Sequence, residues 1–188
     1  MAKIEAELRV RLQQAALKLF RERGYDRTTA SEIAARTGVT ERTFFRHFPD
    51  KREVLFDGEA VLRMKLTDSI AAAPAGLGAV AVLFRAFRTV EVLLENNRPY
   101  SVPRQEVIAT TPALQEREFA KHAALADALA AALKARGVSD LGALLAARIG
   151  MAAFVQATTA WLDEPRLSLG ERLDLAAAEL ETLLAGAH

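Results

Sequence analysis

Residues 28–48 read TTASEIAARTGVTERTFFRHF. Thr29 and Glu32 form the T-x-x-E pattern of a helix start, in which a hydroxyl and a carboxylate satisfy free amides of the first turn. Gly38 predicts the left-handed turn that ends this helix. Thr40 then predicts the N-cap of a second short helix. Two short helices joined at a glycine are typical of a helix-turn-helix, a motif that places its second helix in the major groove of DNA.

The first turn of the second predicted helix holds Glu41, Arg42 and Thr43, at the positions that reach base edges in this motif. An arginine can donate two hydrogen bonds to guanine O6 and N7, and a threonine offers a hydroxyl or a methyl group. Each good bidentate contact discriminates between bases by about 1–3 kcal/mol. Phe45 and Arg46 follow on the same side of the helix. We therefore predict that these five residues face DNA.

Residues around this helix have the chemistry of phosphate ligands. Hydroxyls, helix-start amides, imidazoles and ammonium groups all suit phosphate oxygens. The predicted phosphate ligands are Thr28, Thr29, His47 and Lys51, and Thr40, the cap of the second helix, is also predicted to contact DNA. A simpler interpretation stays open for several of them, because Thr29 and Thr40 are competent caps and His47 could be a packed or solvated side chain.

Charge is distributed unevenly along the chain. The net charge is +1, but residues 1–52 hold 12 Lys and Arg against 7 Asp and Glu, whereas residues 53–188 hold 13 against 17. A basic N-terminal quarter on an acidic body indicates that a polyanion-binding surface is confined to the first quarter. Chance asymmetry on a solvated surface is the alternative. We predict a DNA-binding domain over 1–52 and a ligand-binding and dimerisation domain over 53–188.

The remaining sequence also predicts helices. Apolar residues make up 51% of the chain, and between Ile4 and Arg23 they recur at i, i+3 and i+4. We predict an all-α fold of about nine helices. The first helix spans 4–23, and the second and third form the motif, with Phe44 and Phe48 facing the core. The fourth begins near residue 51 and leads from the N-terminal quarter into the body. The others span about 77–95, 102–109, 112–136, 140–162 and 169–184, with a break at 96–99.

The composition argues against several classes of protein. The chain has no cysteine, which excludes disulfides and thiol chemistry. The longest uncharged run, 69–84, is shorter than the ~20 residues of a membrane span and contains Pro74 and two glycines. The three histidines show no metal-ligand spacing, and no glycine loop follows a strand. We therefore expect a cytoplasmic protein without a membrane segment, metal or cofactor, and not an enzyme.

Large apolar side chains with a few polar groups in the C-terminal part suit a small-molecule pocket. The predicted lining is Phe84, Phe87, Arg88, Tyr100, Phe119, His122, Met151, Phe154, Gln156 and Trp161, although core packing explains the aromatic residues equally well. Segments 140–162 and 169–184 are rich in Ala, Gly and Leu and are apolar over more than one stripe. This pattern predicts a four-helix interface between two copies of the chain. Burial of both helices within one chain is the alternative.

The motif resembles the DNA-binding signature of the tetracycline-repressor (TetR) family of bacterial transcriptional regulators. The matching residues are Thr28-Thr29, Ile33-Ala34, Gly38-Val39-Thr40, Thr43-Phe44-Phe45, His47-Phe48 and Lys51. The resemblance implies a homodimeric repressor that binds double-stranded operator DNA and leaves it when a small-molecule effector enters the C-terminal bundle. Phe45 departs from the signature, because tyrosine is usual there and its hydroxyl bonds a phosphate.

Two other classes of function stay open at this point. One is a helical small-molecule-binding or protein-interaction module that does not bind DNA. The other is a DNA-binding regulator that answers to a partner protein. The basic head, with Arg42, Thr43 and Lys51 in place, favours an effector-controlled DNA-binding regulator over both.

Overall fold

Nine α-helices and one 3-10 turn make up the part of the chain that the computed structural model describes, residues 2–185. They are α1 (Ala2–Arg23), α2 (Ala30–Arg36), α3 (Glu41–His47), the 3-10 turn (Glu53–Leu55), α4 (Glu59–Ala71), α5 (Ala79–Thr89), α6 (Glu91–Ala109), α7 (Pro112–Ala135), α8 (Asp140–Asp163) and α9 (Leu169–Ala185). The described residues contain no strand, so the predicted all-α fold is confirmed.

The described helices divide into two packing units. The N-terminal unit joins the residues up to Gly58 with Pro99–Phe119, and the C-terminal unit joins Glu59–Arg98 with the residues from Ala120 onward. Helices α6 and α7 therefore each contribute to both units. The N-terminal packing unit extends beyond the predicted boundary at residue 52, and the functional assignment of the two domains stays a prediction.

Apolar residues at helical spacing build the core of the N-terminal unit. Leu12 and Phe20 of α1 and Ile33 of α2 are buried there. The prediction that Phe44 and Phe48 face the core is confirmed, because their side chains are 0% and 1% exposed. Their ring centroids lie 5.6 Å apart. Helix α3 is thus anchored to the N-terminal unit by its own buried phenylalanine side chains.

A cluster of charged and aromatic side chains explains why residues 99–119 belong to the N-terminal unit. Arg117 makes a bidentate ion pair with Glu53 at 2.6 and 2.9 Å. Arg104 donates to a carbonyl at the end of the 3-10 turn at 2.6 Å and to Glu118 at 3.0 Å. Both guanidinium carbons lie 4.8 Å from the ring centroid of Phe56. We call these five residues the Phe56 cluster.

The fourth helix does not begin near residue 51, and that prediction is wrong. The Asp50 carboxylate accepts from the amides of Arg52 at 2.6 Å and Glu53 at 3.1 Å. The segment that follows is only the short 3-10 turn Glu53–Leu55. Gly58 then adopts a φ of +93°, which turns the chain before α4 begins at Glu59.

The predicted helix over 77–95 is divided into two helices. Helix α5 ends at Thr89 and α6 begins at Glu91. Glu91 pairs with Arg88 at 3.1 Å and accepts from the amide of Gly170, in the first turn of α9, at 3.0 Å. A Cβ at Gly170 would lie 1.7 Å from a nitrogen of Arg88, so glycine permits this close approach. The break between α5 and α6 therefore lies where Arg88 and Glu91 contact the distant helix α9, and no local sequence pattern predicts these contacts.

The break predicted at 96–99 is also wrong, because α6 continues through Pro99 and Pro103. Each proline lacks an amide hydrogen, which leaves the carbonyls of Glu95 and Pro99 without their intrahelical donors. Tertiary packing outweighs this cost. Arg98 is hydrogen-bonded to the end of α8, and apolar residues in the last turns of α6 are buried.

Helix α8 forms the centre of the C-terminal unit. Ala147, Met151 and Phe154 on its buried side pack against α5, and Gly150 lets a methyl group of Leu83 lie within 2.8 Å of where a Cβ would stand. By length and composition alone, α8 is apolar enough to cross a membrane. The core helix of a soluble protein passes the same test of length and composition, and one face of α8 is buried within the C-terminal unit.

Candidate DNA-binding and effector sites

Helix α2 begins with the predicted capping box, which is confirmed. The Thr29 hydroxyl oxygen accepts from the Glu32 amide at 3.2 Å, and the Glu32 carboxylate accepts from the Thr29 amide at 2.8 Å and its hydroxyl at 3.0 Å. These hydrogen bonds, led by the one from the Thr29 amide, hold the pKa of Glu32 below its ordinary value. The Thr29 hydroxyl is therefore engaged in the cap, and its contact with DNA stays a prediction.

Helix α3 begins at the predicted Thr40 cap. The Thr40 hydroxyl oxygen accepts from the Thr43 amide at 3.2 Å, and the two threonine hydroxyls lie 3.0 Å apart. Gly38, with a φ of +75°, makes the left-handed turn between α2 and α3. The turn and the cap together fix the direction in which the recognition helix leaves α2.

The Thr28 side chain lies inside the N-terminal unit and is 1% exposed. Its hydroxyl donates to the carbonyl of Gly24 at 2.9 Å, with a longer contact of 3.4 Å to the carbonyl of Leu19. The Thr28 hydroxyl therefore holds the turn that follows α1, and a phosphate contact by Thr28 stays a prediction.

Lys51 also has partners within the chain. Its ammonium group donates to the carbonyls of Tyr25 at 2.8 Å and Thr28 at 2.9 Å and lies 3.9 Å from the centroid of the Tyr25 ring. Burial lowers the pKa of Lys51. An ammonium has three donors, so one remains after these two hydrogen bonds, and a phosphate contact by Lys51 stays a prediction.

Replacing Lys51 with methionine should destabilise the N-terminal unit by about 1.5–3 kcal/mol, the usual effect of removing a charged hydrogen-bond donor. The thermal unfolding midpoint, followed by circular dichroism, should fall by several degrees. Lys18→Met is the matched control, since Lys18 makes only an exposed pair with Glu22 at 3.9 Å. Equal midpoints for the two variants would contradict the structural role of Lys51. If Lys51→Met also lowers the slope of log DNA affinity against log salt concentration by about one per monomer, Lys51 contacts a phosphate as well.

Arg42 and Arg46 are exposed on α3 and lie on one side of it, because they are four residues apart. Neither makes a hydrogen bond or ion pair within the described residues. Every other Lys or Arg that the structure describes in the N-terminal unit from residue 9 onward has a carboxylate or carbonyl partner. Positive charge without an internal partner is therefore concentrated on α3, as a helix that contacts phosphates and guanine would require.

The other predicted DNA-facing residues of α3 differ in exposure. Glu41 is exposed, and the Phe45 side chain is 47% exposed, with its ring in edge contact with Phe44 at 5.4 Å. Thr43 is partly buried next to its cap. His47 is partly buried as well, and its Nε2 is buried without a hydrogen-bond partner. Burial lowers the pKa of His47, so at neutral pH this side chain is an uncharged donor or acceptor.

Five of the predicted effector residues meet in the core of the C-terminal unit. They are Phe84, Phe87, Met151, Phe154 and Trp161, all at most 9% exposed. The ring centroid of Phe87 lies 4.6 Å from that of Phe154 and 5.7 Å from that of Phe84. The structure thus gathers five apolar members of the set but not Phe119, and their contact with an effector stays a prediction.

Two polar members of the set lie outside this core. Arg88 is exposed and pairs with Glu91 at 3.1 Å and Asp174 at 3.5 Å, and Gln156 is exposed on α8. Helical geometry explains both positions, since one residue turns a side chain by about 100° and two residues turn it by about 200°. A residue next to Phe87, or two after Phe154, therefore points away from the core.

Three further members are scattered. Tyr100 and Phe119 belong to the N-terminal unit, where Phe119 is 72% exposed. The Tyr100 hydroxyl is buried without a hydrogen-bond partner, and burial raises the pKa of Tyr100. His122 is partly buried in the C-terminal unit. Tyr100 is separated from the aromatic core because α6 passes from one unit to the other at Pro99, which the sequence pattern does not reveal.

Arg98 is a residue that sequence reasoning missed. Its Nη2 donates to the carbonyl of Leu162 at 3.1 Å, with a longer contact of 3.4 Å to that of Trp161, and the guanidinium carbon lies 5.4 Å from the centroid of the Trp161 ring. The contact joins residues 63 positions apart, so no local spacing could have predicted it.

A helix-turn-helix with unpaired cations on its second helix, followed by a helical unit with an aromatic core, defines a DNA-binding regulator of the helix-turn-helix class. A family model described as "Bacterial regulatory proteins, tetR family" matches residues 12–57, and one described as "MftR C-terminal domain" matches residues 77–185. The chain belongs to the TetR family of bacterial transcriptional regulators. This is a family of DNA-binding proteins and not of enzymes, as predicted.

Individual relatives agree with this assignment. The HTH-type transcriptional regulator TcmR of Streptomyces glaucescens is 37% identical over 82 residues, which span 44% of this chain and 36% of that protein. FadR of Thermus thermophilus, a TetR-family transcriptional repressor solved in complex with lauroyl-CoA, has a TM-score of 0.57 and 28% identity, covering 96% of this chain and 95% of FadR. SmeT of Stenotrophomonas maltophilia, solved with triclosan, has a TM-score of 0.63 and 24% identity over 92% of this chain and 91% of SmeT, which shows the shared fold.

Proposed function

We propose that the protein is a cytoplasmic repressor that binds operator DNA as a homodimer and leaves it when a small, largely apolar effector binds its C-terminal unit. The observation that carries the proposal is the pair of unpaired arginines, Arg42 and Arg46, on the exposed side of α3. The other described Lys and Arg side chains of the N-terminal unit from residue 9 onward have partners within the chain, so this pair is available to DNA.

An exposed apolar stripe on α8 supports the homodimer. Leu141, Leu144, Leu145 and Ile149 follow helical spacing and are 38–66% exposed, although the opposite side of the same helix forms the core. Exposed apolar stripes of this kind mark interaction surfaces. A two-fold dimer would also set two recognition helices about 34–36 Å apart, the spacing of successive major grooves.

The aromatic core of the C-terminal unit supports an apolar effector. Phe84, Phe87 and Phe154 make up a contiguous aromatic surface next to Met151 and Trp161. FadR, which is similar over nearly the whole chain, was solved with lauroyl-CoA, a ligand with a long apolar tail. An effector that inserts among these rings would have to displace their present contacts and so change the positions of the helices that carry them.

Helices α6 and α7 supply a covalent route from the effector region to the head. Both begin in one packing unit and end in the other, and their N-terminal-unit segments carry Arg104 and Arg117 of the Phe56 cluster. That cluster holds the 3-10 turn that follows α3. We propose that effector binding moves these segments, so that effector and DNA weaken each other's binding by the same factor.

The DNA upstream of the protein's own gene tests the repressor and the dimer together. In an electrophoretic shift assay at rising salt, the native protein should shift this DNA selectively and with a steep salt dependence. Leu145→Asp should sediment as a monomer and lose at least about tenfold in affinity, since it puts a charge into the proposed interface. Val92→Asp is the control, because Val92 is 68% exposed on α6, and it should remain dimeric.

Absence of any selective shift by the native protein at low salt would contradict the repressor and favour the helical module that does not bind DNA. A Leu145→Asp variant that stays dimeric would remove the exposed stripe of α8 from the interface. A regulator that answers to a partner protein would shift DNA but gain no thermal stability from any apolar ligand.

A further inference from the structure

Arg98 is a partly buried arginine that no carboxylate of the described residues neutralises. Its Nη2 is hydrogen-bonded to backbone carbonyls of α8, whereas its Nε is buried without a partner and its Nη1 has no partner within the described residues. A guanidinium carries five N–H donors. A buried donor without an acceptor within the chain is destabilising, so a water molecule or another group outside the chain satisfies it in the native protein.

Two other arginines of the same unit show what a purely structural arrangement looks like. Arg172 has Glu164 as a carboxylate partner at 3.3 Å, although its Nε, like that of Arg98, is buried without a partner. Arg136 uses only backbone carbonyls, as Arg98 does, but both of its Nη nitrogens are hydrogen-bonded to the segment after α4 and none of its atoms is buried without a partner. Arg98 therefore differs from Arg172 in having no carboxylate partner within the described residues, and from Arg136 in keeping a buried donor without a partner.

An aromatic ring lies on one side of the Arg98 guanidinium. Leu94, one turn earlier on α6, packs against the core, and Trp161 lies beneath the guanidinium and is only 5% exposed. Phe154 is seven residues before Trp161 and so lies on the same side of α8. An anion bound to Arg98 would thus lie at the end of the aromatic cluster.

We propose that Arg98 binds the carboxylate or phosphate of an amphipathic effector whose apolar body lies along Trp161 and Phe154. The proposal rests on the function proposed above, because it names the chemistry of that effector. Hydrogen bonds between a guanidinium and an anion are strong where water is scarce. The carbonyls at the end of α8 attract a cation and hold the guanidinium in place before the effector arrives.

Trp161 is the only tryptophan of the chain, so its fluorescence reports on this site directly. The test titrates the full chain, without DNA, with decanoate, decyl phosphate and 1-decanol, which share an apolar tail and differ in charge. The native protein should bind at least one of the two anions at least about tenfold more tightly than the alcohol, with a saturable change in Trp161 emission. Arg98→Met should bind all three about equally, whereas the matched control Arg136→Met should keep the preference.

No preference for an anion in the native protein, or no saturable change with any of the probes, would overturn the proposal. A preference that survives in Arg98→Met would do the same. The ratio of the native protein's affinities for the anionic probes and for 1-decanol tests the proposal even if Arg98→Met does not fold. If the protein shows no anion preference but still binds DNA selectively, only the anion site is contradicted. If it prefers an anionic probe but does not bind DNA selectively, the proposed repressor function is contradicted instead.

Discussion

Replacing Phe44 with alanine should destabilise the N-terminal unit by about 3–5 kcal/mol, the usual cost of emptying a buried phenylalanine site. The Phe44 side chain is 0% exposed and lies between Phe45 and Phe48, at 5.4 and 5.6 Å between ring centroids. Hydrogen exchange of the amides in α1 and α3 measures this loss in the head itself. Because α3 is only seven residues long, it cannot persist without this anchor, and DNA binding should disappear as well.

Phe45→Ala is the matched control, since the same residue type lies at the next position with 47% of its surface exposed. Its effect on stability should be about 1 kcal/mol or less, and any effect on DNA affinity should come from lost contacts and not from unfolding. Equal protection of the head amides in the two variants would contradict the division of α3 into a core side and a DNA side.

Replacing Arg42 with alanine should cost about 1–3 kcal/mol of discrimination in each half-site, or about 5- to 150-fold, because a bidentate contact with guanine is lost. The side chain is exposed and has no partner in the described part of the chain. Removing it should therefore leave the stability of the head unchanged. Arg46→Ala should instead weaken binding to all DNA sequences about equally, as expected of a phosphate contact.

Arg21→Ala is a suitable control for both arginine variants. Arg21 belongs to the same unit and carries the same charge, but it pairs with Glu106 at 3.3 Å. Its removal tests whether lower net charge alone accounts for weaker binding. A lower thermal unfolding midpoint for Arg42→Ala would contradict the view that Arg42 has no structural role.

The features predicted correctly from the sequence are those that local chemistry determines. The capping box of Thr29 and Glu32, the left-handed turn at Gly38 and the Thr40 cap each involve residues within a few positions of one another. The burial of Phe44 follows from the periodicity of a single helix. Such features reveal a helix-turn-helix before any tertiary contact is known.

The features that could not be predicted depend on contacts between distant residues. The helix through Pro99 persists because packing on both sides outweighs two lost hydrogen bonds. Lys51 matched a DNA-binding signature, yet the carbonyls that it binds lie 23 and 26 positions away. Arg98 meets the end of α8 across 63 positions. Neither spacing nor composition carries information about these partners.

The most direct test of the central claim is the DNA selectivity of Arg42→Ala. Fluorescence anisotropy at one fixed salt concentration would compare the native protein, Arg42→Ala and Arg21→Ala on the upstream DNA of the gene and on a scrambled duplex of the same composition. The account predicts a strong preference for the upstream DNA in the native protein and Arg21→Ala, and a preference about 5-fold or more lower in Arg42→Ala. Undiminished selectivity in Arg42→Ala, or none in the native protein, would contradict it.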